Sequence, residues 1–379
     1  MQNTADRKAE MMAQDNPKIA VIKGDGIGVD VTESALSLLE KALAKSSAIP
    51  FIADEIKAGA GLYRDTGRDI EEDGEARAGQ ADAIFLGAIG LPAIRYEDGT
   101  EISPHLRLRD KFGLYAGVRP VKAYPNAPQK LADKRAATLD LVILRESTEG
   151  LFYSAAVHNR HKIEGDEAVY ETLKISRTIS EKLHHFGYRL AQRRKERGLM
   201  GKLTCVDKAN VFASMAFFRK IYFEIGKDYP DVIQDTNYVD AMALDLVRKP
   251  WEFDVLVTEN IFGDILSDLA GGLVGGMGMA ACGEIGDDIG LFQPAHGSAP
   301  DIMGQDKANP LAAILSAALM ADYIADKNDN QNWAKAGQVM EQAVDTGFAQ
   351  NRLRPMEFGG DMGTKAITDE LSQILDEIS

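Results

Sequence analysis

The chain has 379 residues, a formal charge of −15, and 45% hydrophobic against 27% charged residues. That is enough chain for two packed domains of ordinary soluble composition, and a charge that excludes nonspecific binding to nucleic acid or to an anionic membrane. Cys205 and Cys282 are too few and too far apart for a disulfide framework or a zinc site, which fits a reducing cytoplasm, and no apolar run reaches the length of a membrane span.

Residues 1–17 are polar, lack the apolar core of a signal peptide and are expected to form a disordered tail. Lys18-Ile19-Ala20-Val21-Ile22-Lys23 predicts a strand, Gly24-Asp25-Gly26-Ile27-Gly28 turns it, and 31–44 carry apolar residues at helical spacing. The glycines are spaced G-x-G-x-G, not the G-x-G-x-x-G of a Rossmann domain, and Asp54 and Glu55 only approximate the acidic residue such a domain needs after its second strand. A tight turn at the mouth of an α/β sheet accounts for the glycines equally well.

Further strands are expected at 51–56, 83–86, 141–144, 203–206 and 254–258, with helices between them, an α/β pattern. The polar stretch 154–168 has no helical period and reads as an arm or hairpin. Helices are expected over 171–196, 209–225, from near Asn260, over 310–324 and 332–346, and from Thr364. No Ser/Pro-rich linker is visible, so two domains would be joined by strands passing between them.

Asp264 and Asp268 stand four apart on one helical face, where like charges repel unless a cation or a basic group lies between them. Mg²⁺ takes such carboxylate oxygens and keeps room for an oxygen-rich substrate; two solvated helix acids are the plainer alternative. Arg109, Arg119 and Arg145 occupy apolar or strand-end settings, and three convergent guanidiniums suit a di- or tricarboxylate, although each could instead pair with a nearby acid. Lys208, in Val206-Asp207-Lys208-Ala209-Asn210-Val211, stands at a strand–helix junction. Near a metal and arginines its ammonium form is disfavoured, which would make it a proton acceptor. Asp240, in Tyr238-Val239-Asp240-Ala241-Met242, offers a third carboxylate to a metal cradle. The loop His296-Gly297-Ser298-Ala299-Pro300-Asp301-Ile302 has backbone N–H groups to wrap a nucleotide, and Asp301 would accept from a ribose diol and repel a 2′-phosphate, favouring NAD over NADP.

Taken in register, the segments 206–211, 238–242, 260–268 and 296–309, with the glycine turn from Gly24, resemble the β-decarboxylating dehydrogenases: isopropylmalate, isocitrate, homoisocitrate and tartrate/D-malate dehydrogenases, the isopropylmalate enzymes being nearest in type. The resemblance implies a two-domain α/β fold of the isopropylmalate/isocitrate dehydrogenase type, not a Rossmann domain. It assigns 18–118 plus 270–379 to cofactor binding, and 119–269 to substrate, metal and dimerisation, with an arm near 153–170 interlocking a homodimer with shared active sites. It further implies that Arg109, Arg119 and Arg145 hold a malate, that Lys208 and Asp240 act from the other subunit, and that Asp240, Asp264 and Asp268 bind Mg²⁺ or Mn²⁺. His296 to Ile302, with Asn309, would hold the adenosine half of NAD. Two departures stand out. Where the family carries a proton-donating tyrosine, seven residues after Arg145, this chain has Phe152, with Tyr153 one place later. Where isopropylmalate enzymes place an aliphatic residue, four before Arg109, it has His105, which points to a tartrate/D-malate type as the alternative substrate class. Phe152 also raises a third reading, a non-catalytic regulatory subunit.

Overall fold

The computed structural model of the chain describes residues 16–154 and 160–378; residues 1–15 of the tail expected over 1–17, and 155–159 of the expected arm, fall outside them. The first third runs β1 (Lys18–Gly24), α1 (Gly28–Lys45), β2 (Ile52–Glu55), α2 (Ala60–Thr66), α3 (Gly74–Gly79), β3 (Ala83–Ala88), α4 (Pro104–Lys111) and β4 (Ala116–Lys122). The middle runs β5 (Asp140–Glu146), β6 (Lys162–Glu164), β7 (Ala168–Tyr170), α5 (Arg177–Glu196), β8 (Lys202–Asp207), α6 (Ala213–Ile225), β9 (Ile233–Tyr238), α7 (Val239–Arg248), β10 (Val255–Thr258) and α8 (Asn260–Leu273). The chain ends through β11 (Ala281–Ile285), β12 (Gly290–Pro294), α9 (Leu311–Asn328), α10 (Gln331–Ala349) and α11 (Thr364–Glu377).

Ten strands form one sheet in the order β2-β1-β3-β12-β11-β4-β5-β10-β8-β9. Its two ends are parallel blocks, and the antiparallel pairings β12–β11, β11–β4 and β4–β5 join them in the middle. The parallel strands read as unbroken apolar runs because helices cover both faces: Ile19 to Ile22 and Val255 to Val257 are all buried. Apolar clusters separate along the same line. Those around β1, β3, α1, α9, α10 and α11 draw on the two ends of the chain, and those around β5, β8, β10, α5 and α6 on its middle. Each fully buried Leu, Ile or Phe contributes about 1.5–3 kcal/mol. Trp333, the largest, also satisfies its indole N–H on the Ile49 carbonyl at 3.1 Å. Among the described residues no helix is long and apolar enough to cross a membrane.

Several helix boundaries depart from the sequence reading, two helix starts most clearly. The helix expected from 171 begins at Arg177, because Lys174 pairs with Gly150 through both backbone bonds and Thr172 is tied to the Ser154 hydroxyl; Ser176 then caps α5. The helix expected from 209 begins at Ala213, because the Lys208 carbonyl accepts from Val211 and Phe212 in a turn. His105 lies in the first turn of α4, a helix the sequence reading did not mark, which opens with Pro104 at a position where the missing N–H costs nothing. The polar arm does contain a hairpin, β6 with β7, whose Ile163, Val169 and Tyr170 are exposed.

Candidate active site

The central strands set the site. Gly117 on β4 lies opposite Arg145 on β5 and opposite Glu284 on β11, so the three form one row across the sheet. Arg119, two residues along β4, projects from the same face. Gly117 has no side chain to block the row: a Cβ there would stand 2.7 Å from the Ser147 hydroxyl and 3.0 Å from Glu284 Oε2. α4 delivers Arg109 to this face, and α8, starting directly after β10, delivers Asn260, Asp264 and Asp268.

The three arginines do converge, and they arrive with partners. Glu284 Oε1 accepts from Arg109 Nη2 at 3.1 Å and from Arg119 Nη2 at 3.0 Å, all three residues being buried. Arg109 Nη1 and Arg119 Nε remain buried with no partner. Arg145 gives Nε and Nη2 to Asn260 Oδ1 at 2.9 and 2.7 Å, and Nη1 to Asp264. Burial alone would push the Glu284 carboxyl up, but the charges of Arg109, Arg119 and Arg145 outweigh it and hold it down at about 2. Burial, and then the charge of Asp264, push Asp268 above the usual aspartate range, with Arg119 and Arg145 opposing. Glu284, absent from the sequence reading, is thus the hub of the cluster. Its one local signal is a glutamate inside the apolar strand Ala281–Ile285, where an unpaired carboxylate would be untenable.

Lys208 and Asp240 form a separate pair in this chain: the ammonium bonds the Asp240 carboxylate and lies 5.8 Å from the Tyr238 ring centre. The ion pair holds Asp240 below the usual range. Among the described residues no three acidic, histidine or cysteine side chains are placed to hold a metal ion, so within one chain Asp240 does not complete a cradle with Asp264 and Asp268. Phe152 faces the site, its ring centre 5.2 Å from the Arg145 guanidinium carbon. Tyr153 faces away, its ring packed against Arg160 and Lys174 at 4.5 and 5.1 Å. His105 does belong to the cluster. Burial first, and then the charge of Arg109, pull its imidazole down to about 4, with Glu284 opposing, and its Nδ1 is buried without a partner.

The glycine turn and the loop after β12 close on each other. Ile27 N–H donates to the Ser298 carbonyl at 2.8 Å, the Ser298 hydroxyl donates to the Gly90 carbonyl, and Asp25 accepts from the N–H groups of Ala60, Gly61 and Gly90 at 2.8 Å each. Gly26 sits at φ +56°, and a Cβ on it would lie 2.0 Å from the Ser298 oxygen. His296 Nδ1 is 2.9 Å from the Gly297 carbonyl while its Nε2 is buried and unpartnered, and Ala299 takes a left-handed turn at φ 35°. Pro300, Asp301 and Ile302 form the next turn, with Asp301 exposed. Asn309 is buried and donates to Glu357 at 2.8 Å, and Glu357 accepts from Gly278 N–H at 3.1 Å, anchoring the far end of the loop.

On the opposite face of β4 and β11, a cavity of about 800 Å³ is lined by Val118, Pro120, Gly283 and Ile285, with Arg193 and Asp322 among its walls. The ionisable cluster is not there.

Comparison with known proteins agrees with this architecture. The isocitrate/isopropylmalate dehydrogenase family matches residues 18–374. The 3-isopropylmalate/3-methylmalate dehydrogenase of Methanocaldococcus jannaschii is 37% identical over 358 residues, 94% of this chain and 98% of that protein. The homoisocitrate dehydrogenase of the same organism is 38% identical over 360 residues, 93% of this chain and 96% of that one. The crystal structure of isocitrate dehydrogenase from Methylococcus capsulatus superposes with a TM-score of 0.79 at 30% identity, over 95% of this chain and 99% of the other. The chain therefore belongs to the isocitrate/isopropylmalate dehydrogenase family and is a decarboxylating dehydrogenase acting on a CH–OH group.

Proposed function

We propose that the protein is an NAD- and divalent-metal-dependent dehydrogenase that oxidatively decarboxylates a 3-substituted malate, with 3-isopropylmalate, and hence leucine biosynthesis, as the first candidate. The observation that carries this reading is the meeting of Arg109, Arg119 and Arg145 with Asp264 and Asp268 on one face of the central strands. The unused nitrogens of Arg109 and Arg119 are donors placed for a substrate carboxylate. Asp264 and Asp268 would hold Mg²⁺ or Mn²⁺ with Asp240 from a second subunit. When bound, the cation supplies Lewis-acid polarisation of the C2 oxygen and stabilises charge developing on loss of CO₂, and NAD⁺ accepts the hydride. A base system around Lys208, arriving with Asp240, takes the C2 hydroxyl proton. The proton returned to C3 comes from water or another group, or from Tyr153 after a local backbone shift that turns it into the site, since Phe152 has none to give.

The same reading makes 18–118 plus 270–379 the cofactor-binding domain, with His296 to Ile302 and Asn309 on the adenosine, and 119–269 the substrate, metal and dimerisation domain. A homodimer with shared sites is supported by Ile163, Val169 and Tyr170 on the hairpin, and by Val211, Phe212, Tyr238, Leu244 and Val247 around Lys208 and Asp240, all exposed apolar side chains. His105 favours a tartrate/D-malate type as the second reading, because its unpartnered nitrogen suits a polar side group. NADH formation with Mn²⁺ on 3-isopropylmalate, D-malate, tartrate and isocitrate separates the two. No turnover on any of them would sink both and favour a regulatory subunit.

A further inference from the structure

We infer that Glu284 decides the charge of the side group the substrate carries: it restricts the site to 2-hydroxy dicarboxylates whose C3 substituent is uncharged, and turns away tricarboxylates. This deepens the function proposed above and rests on it. Glu284 is 1% exposed and its Oε1 serves both Arg109 and Arg119, so one of the three arginine charges is neutralised before any substrate enters. The other fixed charges extend the count. Arg109, Arg119 and Arg145 stand against Glu284, Asp264 and Asp268, three cations and three anions that interact as one group. Lys208 and Asp240 cancel each other, so their arrival from a second subunit leaves the sum unchanged.

A divalent cation on Asp264 and Asp268 then leaves two positive charges to be met, and a malate dianion meets them. A third carboxylate would be enclosed with no counter-charge, the arrangement that buried sites tolerate least. The geometry points the same way. Arg109 Nη1 and Arg119 Nε, buried and without partners on the two guanidiniums that Glu284 bridges, are donors for a substrate carboxylate. His105, which feels both Arg109 and Glu284, brings a hydrogen-bonding nitrogen without a charge to where a side group would lie. Without Glu284 the same arginines would carry one more positive charge, which a side-group carboxylate would satisfy.

The test measures binding apart from turnover. Calorimetry in Mg²⁺, without NAD, compares D-malate, tartrate and 3-isopropylmalate with isocitrate on the wild-type protein and on Glu284→Gln. Wild type is expected to bind at least one of the three dicarboxylates at least tenfold more tightly than isocitrate, and Glu284→Gln to shift that ratio at least tenfold toward isocitrate. Equal or tighter binding of isocitrate by wild type overturns the inference, and that measurement needs no variant. An unchanged ratio in folded Glu284→Gln overturns it as well. If the binding order holds but none of the four acids yields NADH, the selection by charge stands and the proposed dehydrogenase reaction falls.

Discussion

Glu284→Gln should cost stability at neutral pH and lose that cost in acid. The wild-type carboxyl is held at about 2 against an ordinary 4.5, a separation that amounts to about 3 kcal/mol. The direction follows from the depressed value: the stabilisation is whole above pH 4.5 and drains away as pH falls from there toward 2. A second route gives a similar size, because removing one partner of a buried ion pair and stranding Arg109 and Arg119 costs about 3–5 kcal/mol. Urea unfolding of both proteins between pH 7 and pH 3.5 measures the difference directly. A gap of about 3 kcal/mol is expected at pH 7, constant to near pH 4.5 and then shrinking by about 1.4 kcal/mol for each further pH unit. A gap of the same size at pH 7 and pH 3.5 would refute the reasoning, since it would trace the loss to packing and not to charge. A gap near zero at pH 7 would mean that Glu284 does not engage the arginines.

Phe152→Tyr adds a phenol beside Arg145 and is expected to raise kcat by at least about tenfold, up to the ~10²–10⁴ that a placed acid contributes; unchanged kcat in steady-state assays would show that protonation at this position does not limit the reaction. Gly26→Ala forces a side chain into a left-handed turn and against the Ser298 carbonyl, so a loss of more than about 1–2 kcal/mol is expected in thermal unfolding, with weakened NAD binding by fluorescence titration. An unchanged midpoint would mean that the turn and the loop do not lock together. Asp264→Asn should abolish the rise in melting temperature that Mn²⁺ gives the wild-type protein, a stabilisation of about 2.7 kcal/mol at a hundredfold excess over Kd; an equal rise in the variant would place the cation elsewhere.

Buried parallel strands were readable because nothing but apolar residues can occupy them: Ile19–Ile22 and Leu141–Leu144 are buried in the sheet as their composition requires. The start of α5 was not readable, because what stops the helix short of residue 176 is pairing with Gly150 and Ser154, contacts that local spacing does not encode. α4 is short and polar, and its start was marked only by Ser103-Pro104. Among site residues, Asp264 and Asp268 declared themselves by helical spacing, and Arg145 by its place at the end of a strand. Glu284 did not, since its meaning comes from arginines 165 and 175 positions away. The separation of Asp240 from Asp264 and Asp268 within one chain agrees with the family resemblance, which assigns Lys208 and Asp240 to the other subunit; residue spacing alone carries no sign of it.

The central antiparallel ribbon has two working sides. Arg119 and Glu284 alternate along β4 and β11 with Val118, Pro120, Gly283 and Ile285, which wall the cavity behind. Bending such a ribbon about its length pinches one side by the angle it spreads the other, as a seesaw must. The rear hollow and the guanidinium face therefore share the same two strands, and the backbone that places a side chain in one places its neighbour in the other.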